Sequence, residues 1–241
     1  MTPQSFVVFF VIAACLQGNQ GLEAKVKCES PTKLASCVNA FLNHIGFKDE
    51  VRNYTLFSDF SNSFIKADKS GLRSYCRHIE TFKSCVTDWD NCVTPVGFST
   101  AFPHLNHTDS RSYPSFFRRL SVQCQPNNLD IYLEHWRCIE KEKNASDASQ
   151  KVVKCMYSVS TTGPPSSCTM MATLIRCRGE LVKECGAEAE SVECQMNKAS
   201  VQMYEQDRSC NIDCQFKTSG ATGLLSSALA VCIALQLIFS E

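Results

Sequence analysis

Several things this chain lacks narrow its reading. Neither sign of charge predominates: 24 Lys and Arg balance 24 Asp and Glu. Nothing therefore favours nucleic acid, whose phosphates demand clustered cations. Low-complexity tracts are missing and 44% of the residues are hydrophobic, so a packed core is expected rather than disorder. No strand-like alternation of useful length appears, which leaves helices as the building elements. Gly-x-Ser-x-Gly, His-Glu-x-x-His and other catalytic frames are absent. So are the closely spaced Cys-x2-Cys pairs of zinc modules. No apolar run reaches the ~20 residues that a membrane-spanning helix requires.

Two shorter apolar runs do occur. Phe6–Leu16 (FVVFFVIAACL) has the length of a signal-peptide core and is followed by Gly18-Asn19-Gln20-Gly21; residues 1–21 are expected to be a signal peptide. Leu224–Phe239 (LLSSALAVCIALQLIF) lacks a basic edge to hold it in a bilayer. Small residues, Ser219-Gly220-Ala221-Thr222-Gly223, stand just before it. Small residues ahead of a terminal apolar tail are the mark of glycolipid attachment. Residues 220–241 are thus expected to be a GPI-attachment propeptide, with Ser219 as the attachment site; a short membrane span or a buried terminal helix are the alternatives.

What the chain has in excess is cysteine, 16 in all. Cys15 and Cys232 fall in the two terminal runs. The remaining set is even: Cys28, Cys37, Cys76, Cys85, Cys92, Cys124, Cys138, Cys155, Cys168, Cys177, Cys185, Cys194, Cys210 and Cys214. An even set is what a closed disulfide framework requires. Three Asn-x-Ser/Thr sequons lie among them, at Asn53, Asn106 and Asn144, and are expected to carry N-glycans. Even cysteines, sequons and terminal signals all point to an oxidising, extracellular compartment.

The cysteine spacing repeats. Cys76-x8-Cys85-x6-Cys92 lies over Cys168-x8-Cys177-x7-Cys185, and Cys28-x8-Cys37 and Cys185-x8-Cys194 share the gap. This predicts an all-α, disulfide-rich helical bundle of two related modules, 25–124 and 125–216. Apolar stripes agree with helices: Leu34, Val38, Phe41, Leu42 and Ile45; Leu72, Tyr75, Ile79, Phe82, Val86 and Trp89; Leu129, Tyr132, Leu133, Trp136 and Ile139; Met171, Leu174, Ile175, Leu181 and Val182. Ser30-Pro31 should open the first helix and Gly46 should stop it. The stretch from Asn91 to Pro114, with three prolines, is expected to be a long loop. Cysteines nine apart on one helix point in opposite directions, about 13 Å apart, whereas a disulfide needs Cα atoms within about 7 Å. Cys76–Cys85 and Cys168–Cys177 bonds are therefore excluded on continuous helices. Each such helix must be tied to two different neighbours.

Candidate chemistry is sparse. His104 and His107 with Asp109 could be drawn as a metal site, but they bracket Asn106 in a proline-rich stretch. His78 and His135 sit beside aromatic residues at helical positions and are expected to be structural. No catalytic residue, metal site or cofactor is expected, and the chain is not expected to be an enzyme. The most distinctive surface candidate is Phe116-Phe117-Arg118-Arg119, placed between the modules, because aromatics beside arginines are the chemistry of interface anchors. The bland alternative is an amphipathic helix with Phe116, Phe117 and Leu120 in the core.

The run Cys168-x8-Cys177-x7-Cys185-Gly186-Ala187-Glu188-Ala189, with the earlier Cys-x8-Cys-x6-Cys, resembles a cysteine-rich extracellular domain found widely in nematodes and other invertebrates. That domain is catalogued as a domain of unknown function, number nineteen of its series, and the resemblance covers much of 28–214. It implies a secreted module and supplies no catalytic residues. By architecture the chain is also similar to GDNF-receptor-alpha-like proteins, which are GPI-anchored, helical and disulfide-rich. The function expected is that of a GPI-anchored glycoprotein on the outer face of the plasma membrane: a co-receptor, adhesion or gamete-type binding module with an extracellular protein ligand or receptor. The alternative is a soluble secreted or matrix-deposited structural glycoprotein.

Overall fold

Helix α1 (Pro31–Ile45) starts and stops where the sequence sets it. Pro31 occupies the first turn, where no backbone donor is needed. Gly46 takes the left-handed conformation, φ 81°. Its N–H reaches the Asn43 carbonyl (3.1 Å), and the Phe47 N–H reaches that of Leu42 (2.9 Å). This is the double closure by which a helix end satisfies its last carbonyls. All five residues of its apolar stripe are buried. In this computed structural model the described residues are 28–66, 69–158, 167–203, 210 and 212–214. The expected signal peptide, Ser219 and the expected propeptide 220–241 lie outside them.

Among the described residues the fold is all α-helical and carries seven disulfides. After α1 come α2 (Tyr54–Lys66), α3 (Lys69–Cys85), α4 (Trp89–Cys92), α5 (Pro95–Ala101) and α6 (His107–Gln123). The second half holds α7 (Pro126–Glu134), α8 (Trp136–Lys143), α9 (Ala148–Ser158), α10 (Ser167–Glu180) and α11 (Ala187–Val201). The loop expected from Asn91 to Pro114 is not a loop. Thr94 caps α5 by accepting the Gly97 N–H (3.0 Å), and Asn106 caps α6 by accepting that of Asp109 (2.8 Å). Pro95 sits at the start of α5, and Pro114 stands inside α6. A proline at a helix start, as Pro95 is, is favoured there because no N–H is needed, whereas α6 continues through Pro114.

Cys28 pairs with Cys92, Cys37 with Cys85 and Cys76 with Cys124. In the second half Cys138 pairs with Cys185, Cys155 with Cys177, Cys168 with Cys210 and Cys194 with Cys214. In order along the chain, the first half joins first to fifth, second to fourth and third to sixth cysteine, and the second half does the same once Cys194 and Cys214 are set aside. The Cys194–Cys214 bond is extra to the second half. The expected geometry of the Cys-x8-Cys helices is present: α3 is tied to α1 at one end and to the end of α6 at the other, and α10 to α9 and to Cys210.

No bridge joins residues 28–124 to residues 125–214, yet the hydrophobic core does. Phe41, Tyr75, Phe82, Phe98 and Phe117 share one buried cluster with Tyr132, Ile139, Val182, Val192 and Met196. Helix α6 lies at its centre, packed on α3 and α5 on one side and most extensively on α11 on the other. Phe117, fully buried, is 4.5 Å from the ring of Phe82 and 5.2 Å from that of Phe41.

Candidate functional site

The four residues singled out as a binding patch are all on α6, and that helix is interior. Phe117 is fully buried, and Phe116 packs edge-on against Phe57 at 4.9 Å. Arg118 is 8% exposed. Its Nε donates to the Val93 carbonyl (2.7 Å), one Nη to the Asp90 carbonyl (3.0 Å) and the other toward the Asp90 carboxylate (3.4 Å). It thereby satisfies carbonyls at the end of the short α4, a cationic side chain where unpaired carbonyls collect. The expectation of an exposed interface at Phe116, Phe117, Arg118 and Arg119 is thus corrected. This part of helix α6 is enclosed by both halves, so Arg118 and Arg119 face protein carbonyls and carboxylates rather than a partner.

Arg119 shows what that enclosure builds. It donates to Glu193 Oε1 of α11 at 2.7 Å. Lys143, from the end of α8, reaches Oε2 of the same carboxylate at 3.4 Å. Asn197 donates to Oε1 (3.0 Å) and to the Glu193 carbonyl (2.8 Å). The Glu193 side chain is 5% exposed. Burial alone would push its carboxyl upward, but Arg119, Lys143 and Asn197 overcome that and hold it at about 2. Nearby, the Tyr132 hydroxyl donates to Glu140 Oε1 (3.1 Å), and burial pushes that phenol well above its ordinary range. A carboxylate fixed in its ionised form by two cations has no proton to give or take near neutrality. The cluster serves as a polar clamp between the halves.

Sequence reasoning missed Glu193, Lys143 and Asn197. A signal existed: Glu193 falls four residues after Ala189 and three before Met196, both buried. It is a charged residue on an apolar stripe, a position that demands a partner.

The three sequon asparagines are all exposed and all stand at helix ends. Asn53 Oδ1 accepts the Thr55 N–H (2.9 Å) at the start of α2, Asn106 caps α6, and Asn144 follows α8. The Tyr54 N–H donates to Asp109 Oδ1 (3.3 Å), so the first two sequons share one corner of the molecule.

The histidines divide. His104 Nε2 bonds the Val51 carbonyl (2.6 Å) while Asp109 serves Asn106 and Tyr54, so the sketched His104, His107 and Asp109 set has separate tasks. His135 stands between α7 and α8, over Gly186. His44 and His78 face each other across α1 and α3, ring centroids 5.7 Å apart. Among the described residues no three or more His, Cys, Asp or Glu side chains converge as a metal centre, and no helix is long and apolar enough to cross a membrane. The seven disulfides suggest an extracellular or secreted protein. Compared with protein-family models, curated proteins and solved structures, the chain matches none of them.

Proposed function

We propose that this chain is a GPI-anchored extracellular glycoprotein that acts as a binding module at the cell surface, of co-receptor, adhesion or gamete type. The observation that carries the reading is the repeated pairing order of the two halves. Cross-links at a few kcal/mol each make a rigid body whose surface can be given to recognition, as in extracellular modules generally. Exposed sequon asparagines at Asn53, Asn106 and Asn144 support glycan attachment. Glycans at Asn53 and Asn106 would cover one corner, so the ligand, an extracellular protein, docks elsewhere.

Treating intact cells with a phosphatidylinositol-specific phospholipase tests the anchor: release of the protein is expected. Replacing Ser219, Gly220 and Ala221 with bulky charged residues should abolish surface display, because bulk at the cleavage position blocks transfer to the glycolipid. Undiminished surface protein in that variant refutes the anchor. Constitutive release of the unmutated protein into the medium would favour the soluble or matrix alternative. A screen of the soluble ectodomain against extracellular proteins tests the binding role.

A further inference from the structure

The Cys37–Cys85 bridge sets the register of the antiparallel helices α1 and α3. His44 stands seven residues beyond Cys37, and His78 seven before Cys85. Seven residues make two turns to within about 20°, so the register that joins the cysteines also brings the two imidazoles together. Their centroids are 5.7 Å apart and their planes inclined by 39°. His44 is exposed and His78 half-buried, so the pair opens to solvent while the Cys37 end of the bridge is buried.

One ring nitrogen of His44 is held by the backbone of its own helix. His44 Nδ1 lies 2.5 Å from the Ala40 carbonyl. A carbonyl can only accept, so Nδ1 carries the proton and Nε2 the lone pair; a backbone carbonyl fixing the far nitrogen is the usual support of a metal-binding histidine. His44 lies in the last turn of α1, where the carbonyl end of a helix favours a cation. A dication about 2.1 Å from one nitrogen of each ring would set the centroids roughly 5–6 Å apart, the spacing found. The two residues are distant in sequence, so no spacing motif announces them.

We propose that His44 and His78 form a two-histidine site for a transition-metal dication of the zinc and copper class, for which imidazole is the matched ligand. Two protein donors leave two positions of a tetrahedral ion, which water fills in the isolated chain.

The test is calorimetric titration of the secreted, disulfide-intact protein with Zn2+, alongside NMR of the histidine rings. One saturable equivalent is expected, with the signals of His44 and His78 shifting together. His44→Ala and His78→Ala should each weaken Zn2+ binding at least about tenfold, since loss of a ligand costs no less than loss of a ligand's support. His107→Ala should bind as the parent does. The ring shifts in the unmutated protein decide the matter even if His78→Ala folds poorly. Absence of saturable binding would overturn the proposal. So would binding that survives both substitutions, or ring shifts confined to His104, His107 or His135.

Discussion

Arg119 and Glu193 meet at 2.7 Å although one belongs to α6 and the other to α11, on opposite sides of a boundary that no disulfide crosses. The bridges make each half stiff, whereas packing, this cluster and contacts such as Asn128 Nδ2 to the Val122 carbonyl (3.0 Å) and Arg73 to Asp130 (3.6 Å) fix how the halves sit on each other. Arg119→Ala would leave Glu193 with Lys143 and Asn197, a partial shell around a buried carboxylate. Destabilisation on the order of 3 kcal/mol is expected, the lower end of what breaking a buried pair costs. Denaturant unfolding of the purified variant measures it. A variant as stable as the parent would show that the clamp contributes nothing.

The same carboxylate makes stability pH-dependent in a defined direction. Its folded value, about 2, lies below the ordinary 4.5. The stabilisation is therefore fully present above about pH 4.5 and is lost as pH falls through 2. Unfolding midpoints measured from pH 6 to pH 2 should decline over that window, and Glu193→Gln should flatten the decline. An unchanged acid limb in Glu193→Gln would assign it to other groups.

Two glycines are not interchangeable with alanine, for different reasons. A Cβ at Gly97 would lie 2.0 Å from the Cys92 carbonyl oxygen, backbone that the Cys28 bridge holds in place. Gly97→Ala is expected to cost about 3 kcal/mol or more and to reduce secretion. Gly186 has room, with the nearest atom, on the His135 ring, 3.5 Å away, but its φ is +117°. Gly186→Ala should cost only the conformational strain, about 1–3 kcal/mol. Thermal unfolding of the two variants, ranked in that order, checks both.

Peptide mapping of the non-reduced protein should recover Cys28–Cys92, Cys37–Cys85 and Cys76–Cys124 from the first half, with no peptide linking it to the second. A Cys76–Cys85 bond would mean that α3 is not a continuous helix. Removing the extra bridge with Cys194→Ser and Cys214→Ser should cost about 3 kcal/mol, as for other loops of about this length, and leave the other six pairs intact.

The sequence alone determined the helical class, because apolar residues at Leu34, Val38, Phe41, Leu42 and Ile45 admit no other period. Helix geometry also excluded bonds between cysteines nine apart, which forced α3 and α10 into central positions. Those inferences depend on local spacing, and spacing is written in the chain. Which cysteine meets which was not legible, since one even set permits many pairings. Nor was the fate of Phe116 to Arg119, where an amphipathic helix and an exposed anchor share one composition. Tertiary structure decided it by enclosing α6 between the halves, which put Phe117 among the rings of Phe41 and Phe82 and turned Arg119 toward Glu193. Burial, partner and charge state depend on residues far away in the chain, so a periodicity that specifies each helix cannot say what will lie against it.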